Sequence, residues 1–479
     1  MSGRTIMIQG TASSVGKSLV ATALCRIWAR RGLRVAPFKA QNMALNSAAT
    51  PDGGEIGRAQ WAQAEAARVR PHVDMNPILL KPETTSASQV VVLGRSIGSM
   101  HFREYHRRKP ELREVVGAAL DRLRAAYDLV VIEGAGSPAE VNLKDRDLVN
   151  MWVAARGDAP VVLVTDIERG GALAALVGTL ELLDPDERRR VGALVVNKFR
   201  GDPTLFADGV SFLEARCGVR VAGVVPHLAD HGIAPEDSLD LDTTRQLAGA
   251  RDIAIVKLPR LSNFDEFDAL PGARWIDRPS QIGDAALVIL PGTKCTADDL
   301  AWLRRAGLAG ALVERATGGG PILGICGGYQ MLGQRILDPD GVESREPDVA
   351  GLGLLPVVTR FERAKVTDAV RLRLGDGVPL CDAVGGREVA GYEIHCGRVE
   401  RRGARPFGVV VRRGDAISEE PEGAIAGAVA GTLVHGLFQD PLIQTGVGGQ
   451  PGTRDLYEAL ADHFEAALDM AHLEKLAGL

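Results

Sequence analysis

Residues 321–333 read PILGICGGYQMLG, and their order of residue types decides much of the fold. Pro321 to Ile325 is short, apolar and partly β-branched, as a strand buried on both faces of a parallel sheet would be. Gly327 and Gly328 then permit a turn too tight for a Cβ, and Tyr329 to Leu332 opens a helical pattern. Cys326 is therefore expected at a strand-to-helix elbow, facing the positive end of a helix that lowers a thiol's pKa. Such a thiol is a nucleophile in need of a base, with Cys in the place that Ser takes in a hydrolase elbow. The base is sought in the same half of the chain, where His435 follows the apolar run GTLV within GTLVHGLFQ and completes a Cys-His dyad. The N–H of Gly327 and an N–H of the loop LPGTK at Gly292 would form the oxyanion hole.

More than three hundred residues earlier the chain carries QGTASSVGKS, residues 9–18. Five residues separate Gly10 from the Gly16-Lys17 pair, where the common P-loop has four. The stretch lies between a first strand and an amphipathic helix, so its backbone N–H groups and helix N-terminus can wrap phosphate oxygens while Lys17 neutralises them. These features predict a nucleotide site built on Gly10, Gly16, Lys17 and Ser18, with Ser18 on a Mg²⁺. Lys39, at the end of the second strand, adds a second cation. Glu133 ends the strand LVVIEGAG, where a carboxylate reaches the same metal. Asn197, in VVNKFRG, occupies the place of an amide that reads a purine edge.

Between and around these motifs the 479 residues divide into two α/β halves, too long a chain for one core. Strand-like runs alternate with helices from residue 5 to about 228 and again from 253 onward. The expected fold is two doubly wound domains, an N-terminal P-loop NTPase-like domain over 1–230 and a second over 251–445, with FGVVV and GTLVHG among the later strands. The acidic stretch 231–250 reads as a linker. Leucines and alanines recur at three and four residues in 446–479, which predicts a helical segment packed on the second domain. Charged residues at 24%, an apolar set at 46% and a net charge of -5 with mixed signs describe an ordinary globular chain without a nucleic-acid footprint. No stretch has the length of a membrane span and no basic and apolar leader precedes the first strand, so a cytoplasmic location is expected. The six cysteines are scattered without a CxxC pair, which speaks against a zinc site or a disulfide framework. The oligomeric state stays open.

GICGGYQMLG, LPGTK and GTLVHG resemble the class I, or triad, glutamine amidotransferase domain, in which a cysteine releases ammonia from L-glutamine. The N-terminal half resembles dethiobiotin synthetase, which shares the five-residue P-loop spacing and activates a carboxylate with ATP. The fusion of the two, with KAQNMALNS (39–47), GGEIGRAQ (53–60), NPILLKP (76–82) and YEIHCGR (392–398), is similar over nearly the whole chain to the cobyric acid synthase family. That resemblance implies ATP and Mg²⁺, L-glutamine, and amidation of the b, d, e and g carboxylates of adenosylcobyrinic acid a,c-diamide, a corrinoid, to adenosylcobyric acid. It also implies Glu55 facing the metal or the activated carboxylate, and Asn42 and Asn46 near the corrinoid. Two alternatives are a cobyrinic acid a,c-diamide synthase and a P-loop regulatory ATPase with a degenerate amidotransferase domain. Triad amidotransferases place a glutamate two residues after the histidine, but here Gly436-Leu437 follows His435. The cobalamin amidotransferases share that gap, and the orienting group is left open, with a backbone carbonyl, Glu393 or another carboxylate as candidates.

Overall fold

A computed structural model describes residues 3–228, 252–268, 270, 272–379, 385–446 and 455–479. The expected linker 231–250 lies outside the described residues.

The first domain is organised by a fully parallel six-stranded sheet. Its strand Arg4–Gly10 lies between Leu129–Glu133 and Val161–Asp166. Outside these run Val35–Phe38 on one side and Val191–Phe199, then Val221–Pro226, on the other. Alternate residues of each strand enter opposite cores: Ile6, Ile8, Leu129 and Val131 face one layer, Met7, Val130 and Ile132 the other. This is the burial expected of strands covered on both faces. The NPILLKP stretch departs from the doubly wound pattern. Ile78–Pro82 joins Gln41–Met43, Ala87–Val92 and Arg95–His101 in a separate four-stranded sheet.

In the second domain Ile322–Ile325, the run that opens the elbow, is an inner strand of another six-stranded sheet, parallel except for its edge strand Ala424–Ala426. The expected doubly wound sheet of the second domain is present, and a further sheet is added to it. The long strands Val357–Leu374 and Glu388–Arg401 form a seven-stranded, mostly antiparallel sheet, which also takes Gly408–Arg413 and therefore the FGVVV stretch. Buried and exposed residues mix along these strands, as in a sheet with one face on the core and the other toward water. Val434–His435 pairs with Tyr392 and Glu393 at the edge of this sheet. His435 is thus held where the two sheets of the domain meet.

The C-terminal segment corrects a further expectation. Helices Leu456–Ala467 and Met470–Ala477 pack on the first domain, not on the amidotransferase-like one. Leu460, Phe464, Leu468 and Leu473 enter the core that also buries Leu24, Ile27 and Trp28 of helix Lys17–Arg30. Charge complementarity reinforces the choice of partner: Arg26 pairs with Asp455 and with Glu458 at 2.8 Å, Arg30 with Asp462 at 2.6 Å, and Arg31 with Glu465 and Glu474. The apolar spacing of these helices gave their secondary structure and said nothing about which sheet would receive them. The basic run ARR at the end of the first helix was the available signal.

Candidate functional site

The elbow forms as its residue order requires. Cys326 adopts φ 48° and ψ -109° between Ile322–Ile325 and helix Gly327–Leu332, a strained conformation for a residue with a side chain. Its N–H donates to Thr432 O at 2.7 Å, which fixes the turn against the neighbouring strand. Gly328 is obligatory here, because a Cβ would lie 1.8 Å from Leu290 O. The sulfur is nearly buried and approaches Ile394 O at 3.8 Å.

His435 stands beside Cys326 as expected. Its ring is 1% exposed and stacks on Tyr392, with centroids 5.4 Å apart and an interplanar angle of 17°. Gly292 leaves room for it, since a Cβ there would be 2.8 Å from His435 Cε1. Gly327 lies against Thr293 in the same loop, so both residues expected to frame the oxyanion border the dyad. The carboxylate that meets His435 is Glu266, in the short 3₁₀ turn Phe264–Phe267. Its Oε1 lies 2.9 Å from His435 Nδ1, and its Oε2 accepts the N–H of Gly436 at 3.0 Å. Burial disfavours a charge on His435, but Cys326, hydrogen-bonded to it, and Glu266 outweigh this and push the imidazole up to about 10. Burial also pushes the Glu266 carboxyl up. Two donors aimed at its oxygens, His435 and the N–H of Gly436, pull the other way. Glu393, the named candidate for this role, is instead paired with Arg413.

Glu266 was invisible to a search for a fixed offset from the histidine, since 169 residues separate them. The usable signal was FDEF, where two adjacent acids are flanked by aromatic residues and would have to be buried with them. Asp265 and Glu266 are indeed both buried.

At the phosphate site, Gly16 is left-handed at φ 99° and caps helix Lys17–Arg30. Lys17 Nζ curls over the loop to Ala12 O at 2.8 Å and Gly136 O at 3.1 Å. Ser18 Oγ donates to Glu133 Oε1 at 2.8 Å, so the two residues expected to hold the metal meet each other. Lys39 lies at the same carboxylate at 2.9 Å, and Gln63 donates to its other oxygen at 2.6 Å. Burial opposes the Glu133 charge, but Lys39 and these hydrogen bonds hold the carboxyl below its usual range. Asn197 donates to Val15 O at 2.9 Å, which places it on the loop backbone and at the edge of the site. Gly10 ends the first strand, where the loop begins. Among the described residues no group of three or more His, Cys, Asp or Glu could hold a metal ion. A Ser-carboxylate pair completed by nucleotide phosphates is nonetheless the donor set that Mg²⁺ ordinarily takes.

Glu55 does not join that pair. Its Oε1 accepts from Ser47 at 2.7 Å and from Lys81 at 2.8 Å, while Oε2 pairs with Lys365 at 2.5 Å. Burial opposes the charge, but the two ammonium groups hold its carboxyl well below the usual range. A carboxylate already neutralised twice does not suit a metal ligand, and the expectation is corrected. Burial likewise pushes Lys81 down to about 8, against the pull of Glu55. Asn42 donates to Gln60 at 3.1 Å, and Asn46 accepts the N–H of Phe264 at 3.2 Å, facing the second domain. Lys81 and Gln89 of the first domain line a cavity that reaches Cys326, together with Lys294, Gln330 and Lys365 of the second. Tyr392 and Ile394 of YEIHCGR pack with Ala49 in a small apolar cluster, so that motif joins the domains.

A nucleophile elbow with its imidazole and carboxylate, set on a parallel sheet and fused to a P-loop, defines a glutamine-hydrolysing ligase. Comparison agrees domain by domain: residues 252–442 match the CobB/CobQ-like glutamine amidotransferase domain, and residues 6–241 match the CobQ/CobB/MinD/ParA nucleotide binding domain. Cobyric acid synthase of Sorangium cellulosum (strain So ce56) is 54% identical over 520 residues, covering 100% of this chain and 99% of that one. Cobyric acid synthase of Moorella thermoacetica is 47% identical over 504 residues, covering 99% and 98%. The chain belongs to the cobyric acid synthase family, which performs glutamine-dependent amidation in cobalamin biosynthesis. No helix among the described residues is long and apolar enough to cross a membrane.

Proposed function

We propose that the protein uses L-glutamine and ATP to amidate the b, d, e and g carboxylates of adenosylcobyrinic acid a,c-diamide, giving adenosylcobyric acid. The observation that carries the nitrogen half is the contact of His435 with both Cys326 and Glu266. His435 takes the thiol proton, and the sulfur attacks the side-chain amide carbon of glutamine. N–H groups at Gly327 and the Gly292 loop receive the charge on the amide oxygen. The C–N bond then breaks, His435 returns the proton to the leaving nitrogen, and water releases glutamate from the thioester. Glu266 holds Nδ1 throughout, so that Nε2 faces the reacting atoms.

In the first domain Lys17, with Lys39 nearby, would neutralise the nucleotide phosphates, while Ser18 and Glu133 would hold Mg²⁺. When bound, Mg²⁺ supplies charge neutralisation on the phosphates. Asn197 keeps the loop backbone in place through Val15 O. The carboxylate of the corrinoid accepts the phosphoryl group, and ammonia displaces phosphate from the acyl phosphate. Support for the corrinoid comes from full-length likeness to cobyric acid synthases at 54% and 47% identity. The test is mass spectrometry of the product formed from ATP, Mg²⁺, glutamine and the a,c-diamide. Four successive amidations are expected. Inertness toward the a,c-diamide with two amidations of the free acid would assign the other member of the pathway pair.

A further inference from the structure

The loop that carries Glu266 is gripped by the first domain. Asn263, left-handed at φ 53°, accepts the N–H of Ser47 on Oδ1 at 3.0 Å. Phe264 donates its N–H to Asn46 Oδ1 at 3.2 Å. Asp265 Oδ2 is paired with Arg58 Nε at 2.7 Å and accepts from Gln439 Nε2 at 3.0 Å. Gln439 stands four residues beyond His435. Asp265 thus ties Arg58 of one domain to the turn that follows the imidazole in the other. The side chain of Asp265 is 1% exposed, so its charge depends on Arg58 for compensation. Its neighbour along the chain is Glu266, with no residue between them to absorb a shift.

We propose that Arg58 is a positioning residue for glutamine hydrolysis, acting through Asp265 to hold Glu266 against His435. The inference rests on the glutaminase reading above. It means that the amidotransferase fold alone does not fix its own triad. The acid of the triad is seated by an arginine of the synthetase domain, so glutamine hydrolysis depends on how the two domains meet. Breaking the Arg58–Asp265 pair leaves a buried carboxylate without a cation, and the loop gains by turning it toward water. A displacement of Glu266 by about 1 Å would release the imidazole from its working orientation, a loss on the order of 10²-fold. The cost should fall on turnover, because no contact of Arg58 with the cavity at Cys326 is involved.

Arg58 opens helix Arg58–Ala66, whose Gln63 reaches Glu133 in the phosphate site, so the test must separate the two reactions. In the full-length chain, Arg58→Ala should lower kcat for glutamine hydrolysis about 10- to 10²-fold with KM for glutamine little changed. Amidation from ammonium chloride at alkaline pH should remain close to that of the parent. Arg58→Lys, which keeps a cation opposite Asp265, should recover most of the lost turnover. Should Arg58→Ala not fold, Arg58→Ala/Asp265→Asn removes the uncompensated charge together with the ion pair that seats the loop, and should show a smaller but measurable loss of hydrolysis. Parent-like hydrolysis in either folded variant would overturn the proposal. Equal losses with glutamine and with ammonia would overturn it too, by placing Arg58 in the service of the synthetase site. Neither result would touch the glutaminase reading, which falls only if Cys326→Ser still hydrolyses glutamine at the parent rate.

Discussion

The phosphate site and the glutaminase site are assembled in different ways. Gly10, Glu133 and Asn197 all stand at or near the C-terminal ends of strands in one parallel sheet, and Lys17 and Ser18 begin the helix after the first of them. Every part of that site belongs to one domain. At the other site Cys326 and His435 come from two different sheets, Glu266 comes from a 3₁₀ turn, and the turn is held by Asn46, Ser47 and Arg58 of the neighbouring domain. A sheet edge can build a phosphate cradle alone, whereas the proposed triad would borrow part of its rigidity from across an interface. The difference predicts that the first site is damaged by local changes and the second also by distant ones.

The sharpest test of independence uses one residue from each site. Cys326→Ser should abolish hydrolysis, by on the order of 10⁴-fold or more, while keeping ammonia-dependent amidation. Lys17→Ala should abolish amidation with either nitrogen source. Parallel assays with glutamine and with ammonia check both, and full glutamine-dependent activity in Cys326→Ser would move the nucleophile elsewhere.

Glu266→Gln keeps the shape of the acid and removes its charge. Hydrolysis should fall about 10²-fold. The imidazolium is held up to about 10 by Cys326 and Glu266, so losing one of them lowers that value. The alkaline limb of the hydrolysis profile should therefore move to lower pH. The stability sign follows from the same shift: His435 is raised above its ordinary value of about 6.5, so its contribution is complete below that pH and is lost as pH rises through 10. The thermal midpoint advantage of the parent over Glu266→Gln should accordingly shrink across that window. An unmoved alkaline limb would mean that another group sets the state of His435.

The smallest effect on chemistry is expected at the C-terminal helices. Phe464→Ala opens a cavity in the core beside helix Lys17–Arg30 and should cost about 3–5 kcal/mol. Denaturant unfolding should register this in the first domain, and glutamine hydrolysis by the folded fraction should be little changed. A loss confined to the amidotransferase domain would contradict the packing.

Much of this was legible from residue order. The P-loop and the elbow are each written within about ten residues, and what they need is short-range: a buried strand, glycines where a Cβ would collide, and a helix start. His435 was legible at one remove, because a histidine after a buried strand in the same domain has few other elements to approach. Glu55 was misplaced, since an acid in a glycine-rich loop does not disclose that two lysines from elsewhere will close on it. The C-terminal helices were recognised as helices and assigned to the wrong domain for a related reason.

The sequence by itself determined the two motifs, the strands that bear them and the residues proposed to start each reaction. Tertiary structure alone decided that Glu266 meets His435, that Arg58 stands behind Asp265 and that the chain's last helices return to its first sheet. Those choices are made by packing and charge compensation between segments far apart in the chain. Such contacts have no period and no fixed spacing, because folding brings their partners together only after each has formed its own local structure.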